Sequence, residues 1–223
     1  MRVSVIVPAL EESASITATL SALQPLRAQG HEVLVVDGGS RDATLLIARL
    51  LADRVYVAGQ GRAQQMNFGA AKATGEVLLF LHADSVLPAD GLVAISGALG
   101  SGAAWGRFDV RITGKARILK LVAIMMNLRS RLTGIATGDQ GIFVRRALFE
   151  DVGGFPAIAL MEDVAICKRL KERAAPACLR TQVATSGRRW EARGPWRTIF
   201  TMWRLRLAYA MGADPAALSR HYR

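Results

Sequence analysis

Residues 75–84 read GEVLLFLHAD: five apolar residues, Val77 to Leu81, run straight into His82, Ala83 and Asp84. A short unbroken apolar run opened by glycine and closed by polar residues reads as a strand buried on both faces. Two upstream stretches have the same form. RVSVIVPAL at 2–10 is β-branched, is stopped by Pro8, and delivers Glu11 and Glu12. EVLVVDGG at 32–39 ends on Asp37 and two glycines. Helical spacing fills the gaps. Ser13–Leu26 carries Ile16, Leu20 and Leu23 behind a cap at Ser13 or Ser15. Ala43–Leu51 follows a cap at Asp42 or Ser40, and Ala63–Thr74 follows a short strand, Arg54–Val57, and the loop GQGR. Leu92–Leu99 is the next helix. Strand and helix alternate, and the strands are apolar on both faces. The fold class is therefore α/β, a Rossmann-like, mostly parallel central sheet flanked by helices.

Beyond Gly100 the pattern changes. WGRFDVRI alternates like an edge or hairpin strand, and GIFV reads as another strand. Arg146–Val152 is a helical turn and Val164–Ala174 a helix. Two stretches, Lys115–Leu132 and Arg197–Met211, are basic amphipathic helices, the second preceded by Trp196 and carrying Phe200, Trp203 and Tyr209. Such stripes fit either core packing or a dock on a membrane surface. With no repeat and no low-complexity linker, residues 1–223 are expected to form one domain. Residues 1–99 would be its ligand-binding half, and 100–223 an extension packed on it.

Charge follows the same division. The 223 residues carry 29 Lys and Arg against 18 Asp and Glu, a net charge of +11. Residues 1–99 hold seven basic and nine acidic residues, whereas 100–223 hold twenty-two and nine. An anionic partner is expected to dock on or beside the second half. A basic nucleic-acid-binding protein is the less favoured alternative: no recognition motif is present, and the acidic strand ends would repel phosphates without a metal. Two cysteines, Cys167 and Cys178, are too few for a disulfide framework or a zinc site and suit a reducing cytoplasm. No secretory signal is visible at the start of the sequence. The apolar run Ile118–Met126 is too short to span a bilayer. The expected location is cytoplasmic, with a peripheral position at the inner membrane face left open.

In an open parallel sheet, ligands bind outside the carboxyl ends of the strands. Glu11, Glu12, Asp37, His82 and Asp84 all fall there, so carboxylates from three strands converge on one crevice, although Asp37 and Asp84 could also serve as helix caps. The first strand is followed by PALEES, not by a dinucleotide G-x-G-x-x-G or a Walker lysine loop. A hydrolase G-x-S-x-G elbow is also missing. A nucleotide-diphosphate site without a glycine loop can neutralise its pyrophosphate with a divalent cation held by a strand-end carboxylate.

Five segments carry a specific resemblance: VSVIVPALEE, VLVVDGGSRDAT, GRAQQMNFGAAKATGEVLLFLHADS, TGDQGIFVRR and MED. In order and spacing, across residues 3 to 163, they resemble the family-2 glycosyltransferases of GT-A fold. SGRRW and MGADPAALSRHY further resemble a small bacterial branch labelled as associated with arsenosugar biosynthesis or radical-SAM genes. The resemblance implies an inverting transferase that moves a sugar from a UDP- or GDP-sugar to an acceptor hydroxyl. The acceptor is unspecified: a small molecule, or one linked to lipid. It implies that Pro8, Ala9, Glu11 and Glu12 line the nucleotide base and ribose, that Asp37 reads the base or ribose, and that Arg62 meets the diphosphate. Asp84, closing His82-Ala83-Asp84, would hold Mg²⁺ or Mn²⁺. Glu162 and Asp163 match the acidic pair at the acceptor, Asp163 being the base. Gly138, Asp139 and Gln140, with Arg188, Arg189 and Trp190, would lie on the acceptor and diphosphate side. Departures are visible too. His82 replaces the first acid of the family's D-x-D, Gly38 the second acid after the second strand, and Ser186 the Gln of Q-x-x-R-W.

Overall fold

A computed structural model describes residues 1–222. The order of elements is β1 (Val3–Ala9), α1 (Ile16–Ala22), α2 (Gln24–Ala28), β2 (Glu32–Asp37), α3 (Thr44–Leu51), β3 (Arg54–Val57), α4 (Arg62–Lys72), β4 (Val77–Phe80), β5 (Ser85–Val86) and α5 (Gly91–Gly100). The second half adds β6 (Trp105–Thr113), α6 (Ile118–Thr133), a 3-10 turn (Gly138–Gln140), β7 (Ile142–Arg145), α7 (Arg146–Asp151), α8 (Glu162–Lys171), β8 (Ala177–Ser186), α9 (Arg188–Arg193), α10 (Pro195–Ala210) and α11 (Pro215–Tyr222).

One sheet of eight strands, ordered β3-β2-β1-β4-β7-β6-β8-β5, runs through both halves. Strands β1 to β4 are mutually parallel, whereas β7 lies antiparallel to both β4 and β6. The three long apolar runs form the centre, and every residue of β1, β2 and β4 is buried. The α/β expectation therefore holds, with antiparallel pairings added by the second half. On one face, α1 and α5 pack Leu20, Ile95 and Leu99 against Val5, Val35 and Leu79. On the other, α4 and α8 pack Met66, Ala70 and Ile166 against Ile6, Leu34 and Phe80.

Three expectations are corrected. The helix read across Ser13–Leu26 is broken at Leu23. Pro25, at the start of α2, has no N–H to continue the helical ladder. Ser15 stands at the helix start without a capping bond, and its hydroxyl donates instead to the Glu12 carboxylate at 2.7 Å. The strand WGRFDVRI is no edge, because β6 pairs β7 on one side and β8 on the other.

Candidate active site

The direction of the strands decides what meets at the crevice. Strands β1, β2 and β4 finish at one edge of the sheet. Antiparallel β7 begins there, with Ile142 opposite Phe80, so the 3-10 turn preceding it lies beside His82. Strand β8 also ends there: Thr185 lies opposite Ser85, and the Ser186 N–H donates to the Asp84 carbonyl at 3.2 Å. Helix α9, with Arg188 and Arg189, follows immediately.

His82 and Asp139 meet at 3.1 Å through imidazole Nδ1 and a carboxylate oxygen. Gly138 lies flat against the other ring nitrogen. A Cβ there would stand 2.2 Å from His82 Nε2, so only glycine fits. The Gly138 N–H donates to the Asp163 carboxylate at 3.1 Å, and the Val164 N–H donates to its other oxygen at 2.7 Å. Two acids opening α8 also face the positive end of the helix dipole. Their entry is forced: Met161, just ahead of them, has φ 70°. This left-handed conformation is costly for a non-glycine residue and is held by the packing of Met161 against Leu160, Val164 and Leu205.

A recess with apolar lining from Met66, Phe80, Ile142 and Phe155 also takes in His82, Gly138, Glu162 and Asp163. Burial in it pushes Glu162 above the ordinary carboxylate range, and the Asp163 charge adds to that. Burial likewise raises Asp163, outweighing its two backbone hydrogen bonds. Asp139 goes the other way. Burial works to raise it, but the His82 hydrogen bond and the His82, Arg62 and Arg189 charges hold it low. Asp84 is half-buried and raised, first by burial and then by the Asp139 and Glu12 charges, against His82 and Arg62. The Ser85 hydroxyl approaches its carboxylate only at 3.4 Å. The neighbouring acids Asp139 and Glu12 make that carboxylate's surroundings a setting a divalent cation relieves. Among the described residues no three His, Cys, Asp or Glu side chains converge on one metal position. A cation here would be held by Asp84 and draw further ligands from a bound diphosphate.

Other expected site residues have different work. Asp37 is 1% exposed and fully committed. It accepts from the N–H groups of Gly39 and Ser40 at 2.9 and 2.8 Å and from the Ser40 hydroxyl at 2.5 Å. Its carboxylate builds the turn after β2. Gln140 is wholly buried. Its amide donates towards Phe108 O and Asn127 Oδ1 at 3.4 and 3.3 Å, and its oxygen accepts from Thr137 N–H at 3.2 Å. It braces the turn from inside. Trp190 packs on the cluster of Val110, Ile112 and Leu119. Pro8, Ala9 and Ala83 have no open side chain; the Ala9 carbonyl accepts from Gly38, and the Ala83 carbonyl from the Thr19 hydroxyl. Glu11 has φ 54°, and its carboxylate accepts from Arg41 N–H at 2.7 Å. Glu12 pairs with Arg188 at 3.1 Å, tying the first half to α9.

Two contributors escape sequence reasoning. Gln65, 3% exposed on α4, donates to the Ala9 and Val36 carbonyls at 2.9 and 2.7 Å and clamps the ends of β1 and β2 together. Arg129 of α6 stands behind the acid pair. Burial pulls its pKa down, opposed by the Asp163 charge, and its Nε and Nη2 have no hydrogen-bond partner. A Gln inside an amphipathic helix and an Arg among many give no signal without the fold.

This is a nucleotide-type α/β fold of the GT-A kind, with acids and arginines gathered at the carboxyl edge of the sheet. Glycosyl transferase family 2 matches residues 4–152, and the chain belongs to that family. The "PGL/p-HBAD biosynthesis glycosyltransferase" of Mycobacterium bovis is 33% identical over 168 residues, covering 68% of this chain and 62% of its own. The chain thus spans 62% of the length of this curated relative. Among solved structures, S. aureus TarS 1–349 superposes with a TM-score of 0.67 at 23% identity, covering 84% of this chain and 61% of its own. Mannosyltransferase PcManGT from Pyrobaculum calidifontis, in complex with GDP-Man and Mn²⁺, gives 0.66 at 23%, covering 98% and 67%.

Proposed function

We propose that the chain transfers a sugar from a nucleotide-diphosphate donor to an acceptor hydroxyl in one displacement, with inversion at the anomeric carbon. The observation that carries this reading is the convergence of Asp84, His82, Asp139 and the Glu162–Asp163 pair at one sheet edge. The acceptor oxygen bonds to the anomeric carbon as the bond to the diphosphate oxygen breaks. The hydroxyl proton passes to the Asp163 carboxylate, and the electron pair leaves with the nucleoside diphosphate. Burial raises the proton affinity of Asp163, as a base requires, while the Gly138 and Val164 N–H groups fix its orientation. Glu162 beside it is raised as well, by burial and by the Asp163 charge. Mg²⁺ or Mn²⁺ bound at Asp84 would stabilise charge on the departing diphosphate. Arg62 would meet the same diphosphate, a role supported by its charge being felt at Asp84, Asp139 and Glu162. Arg189, felt at Asp139, supports it.

The donor class is a UDP- or GDP-sugar. Support comes from solved neighbours bound to UDP-GlcNAc and to GDP-Man with Mn²⁺. A cytoplasmic, single-unit enzyme acting on a small or lipid-linked acceptor completes the reading. Placement in the arsenosugar-associated branch rests on SGRRW and MGADPAALSRHY alone; the curated relatives at 33% identity carry mycobacterial PGL/p-HBAD names.

Asp163→Asn tests the reading, because it keeps shape and removes basicity. Transfer should fall roughly 10²–10⁴-fold while nucleotide-sugar affinity, read by thermal shift, barely moves. Equal loss of binding and turnover would make Asp163 a brace for the Gly138 turn.

A further inference from the structure

Two helices of the second half leave an apolar stripe uncovered. On α10, Trp196, Phe200, Trp203, Leu207 and Met211 just beyond its end are 62, 68, 67, 60 and 73% exposed. At about 100° per residue they share an arc of roughly 80°. The opposite face is fully used. Thr198 and Leu205 are buried, Ile199 packs on the cluster around Leu119, and Ala208 and Tyr209 pack on that around Met161. Helix α6 repeats the division: Leu121, Ile124, Met125, Leu128 and Leu132 are exposed, while Leu119, Val122 and Ala123 are buried. Ile199 rests on the same cluster as Leu119 and Val122, so both striped helices are anchored on one body of core. Single exposed apolar residues are ordinary, but a row of large ones along each helix marks an interaction surface.

The charge beside the stripes selects the partner. Arg197 and Arg204 are exposed along one flank of the α10 stripe, and Arg117 and Lys120 are exposed at the start of α6. No Asp or Glu occurs from 115 to 133 or from 192 to 213. A second copy of this chain would set cation against cation, and nucleic acid has no use for the apolar rows. Among the described residues no helix is long and apolar enough to cross a membrane. A helix with an apolar stripe, flanking arginines and interfacial tryptophans suits the plane between head groups and acyl chains.

We propose that α6 and α10 dock the protein on an anionic bilayer surface, with the two apolar rows among the head groups and the flanking cations on lipid phosphates. Each cation near such a surface strengthens partitioning roughly fivefold. Because the inner face of α10 packs against Met161, the docked surface lies about one helix diameter, ~10 Å, from the acid pair. Acceptor hydroxyls carried at the membrane surface would then be presented to the crevice. Docking itself does not depend on the transferase reading, since it is measured without turnover.

Co-sedimentation with phosphatidylcholine vesicles, with and without phosphatidylglycerol, tests this. The full chain should pellet with the anionic vesicles at low salt, and salt should release it. The double variant Trp196→Ser, Trp203→Ser should lose at least about tenfold in partitioning. Its circular dichroism and its thermal shift with UDP- and GDP-sugars should be unchanged, as neither tryptophan touches the crevice. Arg197→Glu with Arg204→Glu should weaken binding to anionic vesicles alone. Absence of binding to anionic vesicles at low salt would overturn the proposal. So would concentration-dependent self-association without lipid that Trp196→Ser, Trp203→Ser abolishes, because the stripes would then cover a second copy. Vesicle binding without any nucleotide-sugar shift would leave docking standing and defeat the transferase reading.

Discussion

The ends of β2 and β4 lie at the same edge of the sheet and both carry an aspartate, yet the two carboxylates do opposite work. Asp37 accepts three hydrogen bonds from its own turn and is 1% exposed. Asp84 has a long contact from the Ser85 hydroxyl and sits in the field of Asp139 and Glu12 as well as of His82 and Arg62. A carboxylate whose lone pairs are filled by backbone N–H groups is a structural part. One set close to other acids is where a cation or a polar ligand gains most. Position at a strand end therefore nominates a residue, and its hydrogen-bond inventory decides.

The largest effect expected from this contrast is at Asp84. Asp84→Asn should weaken Mn²⁺-dependent binding of a nucleoside diphosphate roughly 10–100-fold, with the melting temperature held or raised, since burial already works against its charge. Isothermal titration with and without Mn²⁺ reads it, and an unchanged metal dependence would erase the difference between the two strand ends.

A second carboxylate, at the opposite end of β2, sharpens the comparison. Glu32 is 3% exposed and accepts from the Ser4 hydroxyl at 2.5 Å, from the Thr74 hydroxyl at 2.9 Å, and from the Thr74 and Gly75 N–H groups. Burial works to raise its pKa, but these bonds and the Arg2 charge win, and it is held below the ordinary glutamate value. The unfolded chain then binds this proton more readily than the folded one. Its stabilisation is full above the unfolded value near 4.3 and is lost as pH falls through the lower folded value. Glu32→Gln should cost about 1–3 kcal/mol at neutral pH. The loss should shrink on acidification, which urea melts at several pH values would follow. A loss independent of pH would mean that Glu32 acts by shape alone.

The smallest effect is expected at Asp37. Asp37→Asn keeps one acceptor oxygen and should cost about 1 kcal/mol in a urea melt, with nucleotide affinity and its metal dependence retained. Loss of nucleotide affinity at undiminished stability would make Asp37 a ligand after all.

Much of the first half is legible in the sequence. Strands β1, β2 and β4 announce themselves because a strand buried on both faces needs an unbroken apolar run, and their polar ends must then project from the sheet edge. Strand β8 was not legible. In CLRTQVATS apolar and polar residues mix without a clean period, and most of its residues are only half-buried. It is a strand because β6 offers it a partner over Gly106–Thr113. The bulge at Phe108–Asp109 also depends on that pairing. The 3-10 turn was equally silent, though its motif, TGDQ, was visible.

What the sequence by itself determined is the α/β alternation, the edge at which polar residues gather, the acid pair opening α8, and the concentration of positive charge in the second half. Those properties depend on local pattern and on counts, which the chain carries along its length. Only the tertiary structure decided that β7 runs backwards, and so brings Asp139 onto His82 and Gly138 under Asp163. It alone separated Asp37 from Asp84, put Gln140 and Trp190 to structural use, and turned the tryptophans of α10 outward. The physical reason is common to all of these: which donors reach a carboxylate, and which face of a helix is covered, depend on contacts between segments far apart in the chain.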